Sequence, residues 1–190
     1  MNLFLKITLA FLVIISGLWV GCLSDSDDPE SDIKELETQL EAVWSDESMS
    51  PFSEEFQQLI KKTIDSYQSF SNQYPDHKNA AVYLFKAANY TETYVKDSPE
   101  SIILYEQFRQ RFPKHELAGD ALFNIGWIYN NSLKDIQKAE LSYREFIQQY
   151  PEHKQMESAQ FEIKHLGMSD QELFDQMAAD SLTQDTTPNP

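Results

Sequence analysis

A single cysteine in 190 residues excludes an intramolecular disulfide, so the folded part of the chain must hold itself together by burial. Glycine is scarce too, five in all, and none are grouped into a loop that could cradle a phosphate. Positive charge is the next shortage: 15 lysines and arginines stand against 31 acids, a formal net charge of -16. Residues 1–21 hold one lysine and no acid, so a chain without them is more negative still. Such a balance repels nucleic acid and bare anionic lipid, and it favours basic partners or metal ions. An acidic surface on a helical protein is nonetheless most often only a solvated surface. No Cys/His or Ser/His/Asp arrangement occurs, and no acid sits isolated in apolar sequence where its pKa would be raised, so nothing points to an enzyme.

What the chain does have begins with one apolar run, Ile7 to Val20, behind a lone Lys6 and ahead of Gly21-Cys22. A charged start, an apolar stretch of about 7–15 residues and a small residue at the cut are the parts of a secretory signal. Trp19-Val20-Gly21-Cys22 resembles a bacterial lipoprotein cleavage box, departing from it at Trp19, where leucine is usual. The resemblance implies a signal peptide over 1–21, a covalent lipid on Cys22 and attachment to the cell envelope, with the outer membrane as the expected address. Because about 18 apolar residues suffice to span a bilayer, a retained anchor and simple secretion remain the alternatives. Residues 22–30 are short, polar and acidic and read as a flexible tether. Residues 179–190 lack apolar periodicity and read as a disordered tail.

Between these ends lies a repeat of 38 residues. Tyr74-Pro75-Asp76-His77, Phe112-Pro113-Lys114-His115 and Tyr150-Pro151-Glu152-His153 fall in one register. It extends upstream to Tyr67, Tyr105 and Tyr143 and to Phe70, Phe108 and Phe146, and downstream to Phe85, Phe123 and Phe161. Composition alone does not produce seven aligned positions in three copies, so the chain is a repeat protein. In the clearest copy Ala118, Leu122, Ile125, Gly126 and Tyr129 recur every three or four residues, as one face of a helix does. Ala139, Tyr143, Phe146, Ile147 and Tyr150 form a second such face, and the short polar stretch Asn130–Asp135 between them predicts an antiparallel pair. Pro151 lacks a backbone N–H and ends the second helix.

Leu122, Ile125, Gly126, Tyr129, Ala139, Tyr143 and Pro151 occupy the signature places of the tetratricopeptide repeat (TPR), which this segment resembles. The preceding copy has Ala88 for the glycine and Ser101 for the second-helix alanine, a weaker match. Phenylalanine at 70, 108 and 146, with the Tyr-Pro endings, is similar to envelope TPR proteins of the outer-membrane-assembly and cell-division-coordinator type. The resemblance implies an all-α fold, a right-handed solenoid of antiparallel hairpins spanning 31–178. Its clearest repeats are 78–115 and 116–153, and capping helices follow 154. Asp28-Pro29 and Ser50-Pro51 are expected to open the first two helices, and the second should run to about Gln73. Met156–Leu166 is expected to be a helix ending at Gly167, with Ser169 and Glu172 capping a last short helix that carries Leu173, Phe174 and Met177.

His77, His115 and His153 stand at equivalent turns, and stacked helix layers lie roughly 10 Å apart. Zinc ligands converge to about 2.0–2.3 Å, so these histidines cannot share a metal and are read as closing the helix ends. The TPR resemblance places partner binding on the first helix of each hairpin. Its fifth positions are Phe85, Phe123 and Phe161, and its ninth are Asn89, Trp127 and His165, with Asn124 and Asn130 beside them. These rings and amides either hold a peptide or helix of an envelope protein or, for the phenylalanines, pack between repeats. Phenylalanine at the fifth position excludes the lysine-based grip that some TPRs use for a terminal carboxylate. The expectation is therefore a non-catalytic, lipid-anchored scaffold needing no cofactor beyond the lipid on Cys22. The alternative is a structural subunit that self-associates through its aromatic surfaces.

Overall fold

The computed structural model describes residues 28–45 and 53–184, and all regular structure among them is helical. The signal segment, Cys22, most of the acidic tether, Ser50-Pro51 and residues 185–190 lie outside the described residues. The helices are α1 (Ser31–Ser45), α2 (Glu54–Gln73), α3 (Ala80–Tyr90), α4 (Ser98–Arg111), α5 (Ala118–Asn131), α6 (Ile136–Gln149), α7 (Met156–His165) and α8 (Asp170–Gln184). A π-helical turn, Thr91–Val95, continues α3. From α2 to α7 each helix packs on the next in order, giving a TPR-like all-α solenoid.

The boundaries differ from expectation at three places. Asp28 caps through its side chain, which accepts from the Glu30 N–H at 3.0 Å, but Pro29 stays in a turn and the helix begins at Ser31. The cap of α2 is Ser53, whose hydroxyl accepts from the Phe56 N–H at 3.2 Å. At the far end the tail expected from 179 is helical as far as Gln184, so the helical domain outruns residue 178. The Ser169–Glu172 capping box explains this extension. Glu172 Oε2 accepts from the Ser169 N–H at 2.8 Å and Ser169 Oγ accepts from the Glu172 N–H at 3.3 Å, which starts a helix that good helix formers then propagate. Gly167 takes φ +78 at the end of α7, a conformation that costs glycine little.

The repeated residues make the core. Tyr67, Tyr105 and Tyr143 are buried, as are Phe70, Phe108 and Phe146. Each phenylalanine touches the next ring along, Tyr74, Phe112 or Tyr150, at 5.0, 5.7 and 5.8 Å. Burying an aromatic side chain contributes on the order of 1.5–3 kcal/mol, so these rows supply much of the packing energy of each layer. Gly126 lets the α5 backbone approach the Tyr143 ring, where a Cβ would meet ring carbons at 2.9 Å. The previous hairpin has Ala88 at that place, and Ser101 replaces the second-helix alanine without leaving its hydroxyl orphaned: it donates to the Ala88 carbonyl at 2.8 Å.

The histidines close the helix ends as expected. Tyr74 N–H to Phe70 O, His77 N–H to Tyr74 O and Ala80 N–H to His77 O measure 2.8, 3.0 and 2.9 Å, and the turns at His115 and His153 repeat those lengths. Nδ1 of His77, His115 and His153 accepts from the backbone N–H two residues on, at 3.3, 3.2 and 3.2 Å. Each imidazole stands edge-on to the phenylalanine of its own turn.

Burial raises the pKa of Tyr67, Tyr105 and Tyr143, that of Tyr105 to about 12. A folded pKa above the unfolded one stabilises the native state fully below the unfolded value. That stability is lost as pH climbs from about 10 towards the folded values. Alkaline titration should therefore show tyrosinate absorbance and loss of helical circular dichroism rising together between about pH 10 and 12. Tyrosines ionising near 10 with helicity intact would show that these hydroxyls are not buried.

Candidate docking site beside Trp127

The residues expected to line a groove separate into groups. Phe85 is half-buried, with its ring 5.3 Å from Tyr105 and 5.6 Å from Phe108. Phe123 is 9% exposed and sits in the same way on Tyr143 and Phe146. Both belong to the hairpin core, so the expected continuous aromatic stripe does not form. Phe161, in register with them, is 43% exposed and touches only its neighbour His165 among the rings, at 4.1 Å. The difference is that α8 does not pack over α7 as α4 and α6 pack over α3 and α5.

The amides are engaged internally. Asn124 Nδ2 donates to the Tyr105 hydroxyl at 2.9 Å, and Asn130 Nδ2 donates to Glu162 Oε2 at 3.1 Å. Asn89 lies near the same hydroxyl and helps to hold its pKa down. Asn124 and Asn130 therefore tie helices together instead of waiting for a partner's backbone. Trp127 is as exposed as Phe161, at 43%, and unlike Phe161 it lines the cleft described below.

The buried tyrosines show what Trp127 displaces. Tyr67 donates to Glu37 Oε1 at 2.7 Å, an oxygen that also accepts from Lys86 Nζ at 2.7 Å. Tyr105 accepts from Asn124 of the next hairpin, and Asn124 with the nearby Asn89 offsets part of the pKa rise that burial causes. Tyr143 has no partner at all, and burial together with the negative field of Glu162 raises its pKa. The 38-residue register explains the orphan: Glu162 stands to Tyr143 as Asn124 stands to Tyr105, and Glu162 accepts from Asn130 instead of donating to the hydroxyl, while Trp127 takes the place of the nearby Asn89. Leaving a buried hydroxyl unpaired costs about 1–3 kcal/mol.

The cleft beside Trp127 has a volume of about 450 Å³ and is lined by Glu92, Thr93, Lys96, Ser98, Trp127 and Ser132. Glu92 lies in the π-helical turn, and such turns recur at functional sites. Its Oε1 accepts from Ser132 Oγ at 2.6 Å and Ser98 Oγ at 3.2 Å, bridging two hairpins, while Oε2 is buried without a partner. Lys96, which ends the turn, is left-handed at φ 63, and its equivalent Lys134 at φ 55. Behind each lies an aspartate N-cap, Asp97 accepting from the Glu100 N–H and Asp135 from the Lys138 N–H, both at 3.1 Å. Sequence reading passed over this Lys-Asp turn although it keeps the 38-residue register.

Residues 120–153 match the family model of the tetratricopeptide repeat. They form the α5–α6 hairpin that carries Trp127 and the signature residues Gly126, Ala139 and Tyr143. No curated protein matches the chain. TPR repeats generally mediate protein–protein interactions, and the family is generally non-catalytic. Among the described residues no three side chains of metal-binding type converge. What the TPR-like hairpin offers chemically is an exposed indole over a half-polar cleft.

If Trp127 stands at the expense of a tyrosine hydrogen bond, Trp127→Asn should stabilise the fold. The expected gain is about 1 kcal/mol, or about 2–4 °C in Tm, read by thermal unfolding. Tyr143→Phe should be close to neutral, whereas Tyr105→Phe should cost about 1 kcal/mol by leaving the Asn124 amide without its acceptor. A destabilised Trp127→Asn protein would show instead that the indole is part of the core.

Proposed function

We propose that this chain is a non-catalytic scaffold held to the cell envelope by a lipid on Cys22, probed by its partner at the Trp127 cleft. The observation that carries the reading is the exposed Trp127, which lines a cleft and stands in the register place that Asn89 holds in the hairpin before. An exposed tryptophan is the kind of residue that anchors protein–protein contacts. The apolar run ending at Gly21-Cys22 supports the anchor, and the acidic segment that follows supports a tether between membrane and solenoid. The partner is another envelope protein, and the outer membrane is the proposed address.

Two experiments test the two halves. Labelling cells with a palmitate analogue should tag the natural chain, and Cys22→Ser should be untagged and released from the membrane fraction. Affinity capture from detergent-solubilised envelopes should retain a protein on the natural chain that Trp127→Asn loses. Because that variant is expected to be the more stable, its loss of partner could not be put down to unfolding. Equal retention by both baits would remove Trp127 from the docking surface.

A second reading has its own observation. Phe161 is exposed on α7, and on α8 Phe174 is 68% exposed with Met177 exposed one turn away. Self-association through this end would appear as a stable dimer in light scattering that Phe161→Ala dissociates.

A further inference from the structure

We propose that the cleft beside Trp127 receives an arginine side chain of the docked partner. This rests on the docking reading above and adds the chemistry of what docks. Three features of the cleft converge on a planar cation. The first is the Glu92 carboxylate, immobilised at one oxygen by serines from two different hairpins, Ser98 and Ser132, and lacking any donor at the other. A buried carboxylate oxygen without a donor is costly, and a guanidinium N–H is the donor that binds carboxylates most strongly.

The second feature is the exposed indole lining the same cleft. Guanidinium stacks on an aromatic face while its edge donates hydrogen bonds, so one side chain can stack on Trp127 while Glu92 Oε2, closed off in the unbound chain, turns into the cleft to meet its edge. The third is charge: at -16 the chain attracts cations at long range and repels acidic peptides. Lys96 is the cleft's own cation, but Glu92 Oε1 is taken by the serines and Oε2 by nothing, so Lys96 does not neutralise the carboxylate. A volume of about 450 Å³ admits a guanidinium and the stem behind it, and Thr93 supplies one further polar side chain at the wall.

The arrangement also explains why the irregular turn is there. A regular α-helix through 91–95 would carry residue 92 round by a different angle. The π-helical turn, closed by left-handed Lys96 and by the Asp97 N–H bonded to the Thr91 carbonyl at 3.3 Å, places Glu92 between its two serines. In the next hairpin the corresponding bond, Asp135 N–H to Tyr129 O, closes at 2.8 Å on an ordinary helix end, where Asn130 takes the place of Glu92. Of these two turns, the α3–α4 turn is the one that brings its carboxylate to the cleft beside Trp127.

The test uses the full chain in detergent and two short peptides, one with a central arginine between glycines and one with citrulline, its uncharged isostere, in the same place. The readout is the Trp127 indole N–H resonance, assigned by its disappearance in Trp127→Asn. The arginine peptide should shift it saturably, and the citrulline peptide should bind at least about tenfold more weakly. Glu92→Gln should weaken the arginine peptide by a similar factor, and because the citrulline comparison uses the unaltered protein it stands whether or not that variant folds. Equal binding of the two peptides, an unmoved resonance, or full affinity in a folded Glu92→Gln protein overturns the proposal. An unmoved resonance alongside a partner that Trp127→Asn still loses sinks the arginine chemistry and leaves docking intact. A partner retained by Trp127→Asn sinks the docking reading and the arginine's assignment with it.

Discussion

A hydroxyl carried into the interior with its aromatic ring must find a partner there, and this solenoid meets that demand with residues from the first helices of successive hairpins. Tyr105 accepts from Asn124 of the next hairpin, so satisfying the hydroxyl also fastens two repeats together. Tyr67 does the same through Glu37 and the Lys86 ammonium that shares its oxygen. The rings beneath, Phe70, Phe108 and Phe146, are apolar and need only volume. Polar satisfaction, more than apolar packing, therefore limits what can stand on the first-helix face.

That limit makes the exceptions informative. Polar networks in natural proteins are usually complete, and a break tends to mark a place under another demand. Glu92 Oε2 and the Tyr143 hydroxyl are two of five such breaks among the described residues, and Glu92 shares its cleft with the exposed tryptophan. The acidic surface elsewhere shows no such concentration. Its ion pairs, such as Arg144 with Glu140 at 2.6 Å, are exposed pairs of little consequence for stability. Arg109 is the better-placed cation, since it joins α4 to α6 through Glu145 at 2.6 Å.

Most of the architecture was legible in the sequence because a repeat supplies three readings of each position. One Tyr-Pro-Asp-His would have been a turn of unknown purpose, whereas three in register fixed the helix ends and the histidine role. The second helices end within a residue of where Pro75, Pro113 and Pro151 require. Misjudged places were those where local rules compete. Ser53 outranked Ser50 as a cap, and a capping box with good helix formers carried α8 past the point where apolar periodicity stops. The π-helical turn left no signal in residue types, since Thr91–Val95 would suit an ordinary helix.

The candidate site was legible only in outline. Its seven expected contact residues shared a helix face on paper, and spacing cannot say which members of a face a neighbouring helix will cover. Residue types and their 38-residue period determined by themselves that the chain is an all-α stack of hairpins, acidic, without disulfides, and with tyrosine and phenylalanine rows inside. Tertiary structure decided that Phe85 and Phe123 pack inward and that Asn124 and Asn130 are bonded within the protein. It also decided that Trp127 stays open beside Glu92. The reason is physical: periodicity sets direction from the helix axis, but burial and hydrogen-bond satisfaction depend on what the next layer places opposite, and that is known only once the layers are stacked.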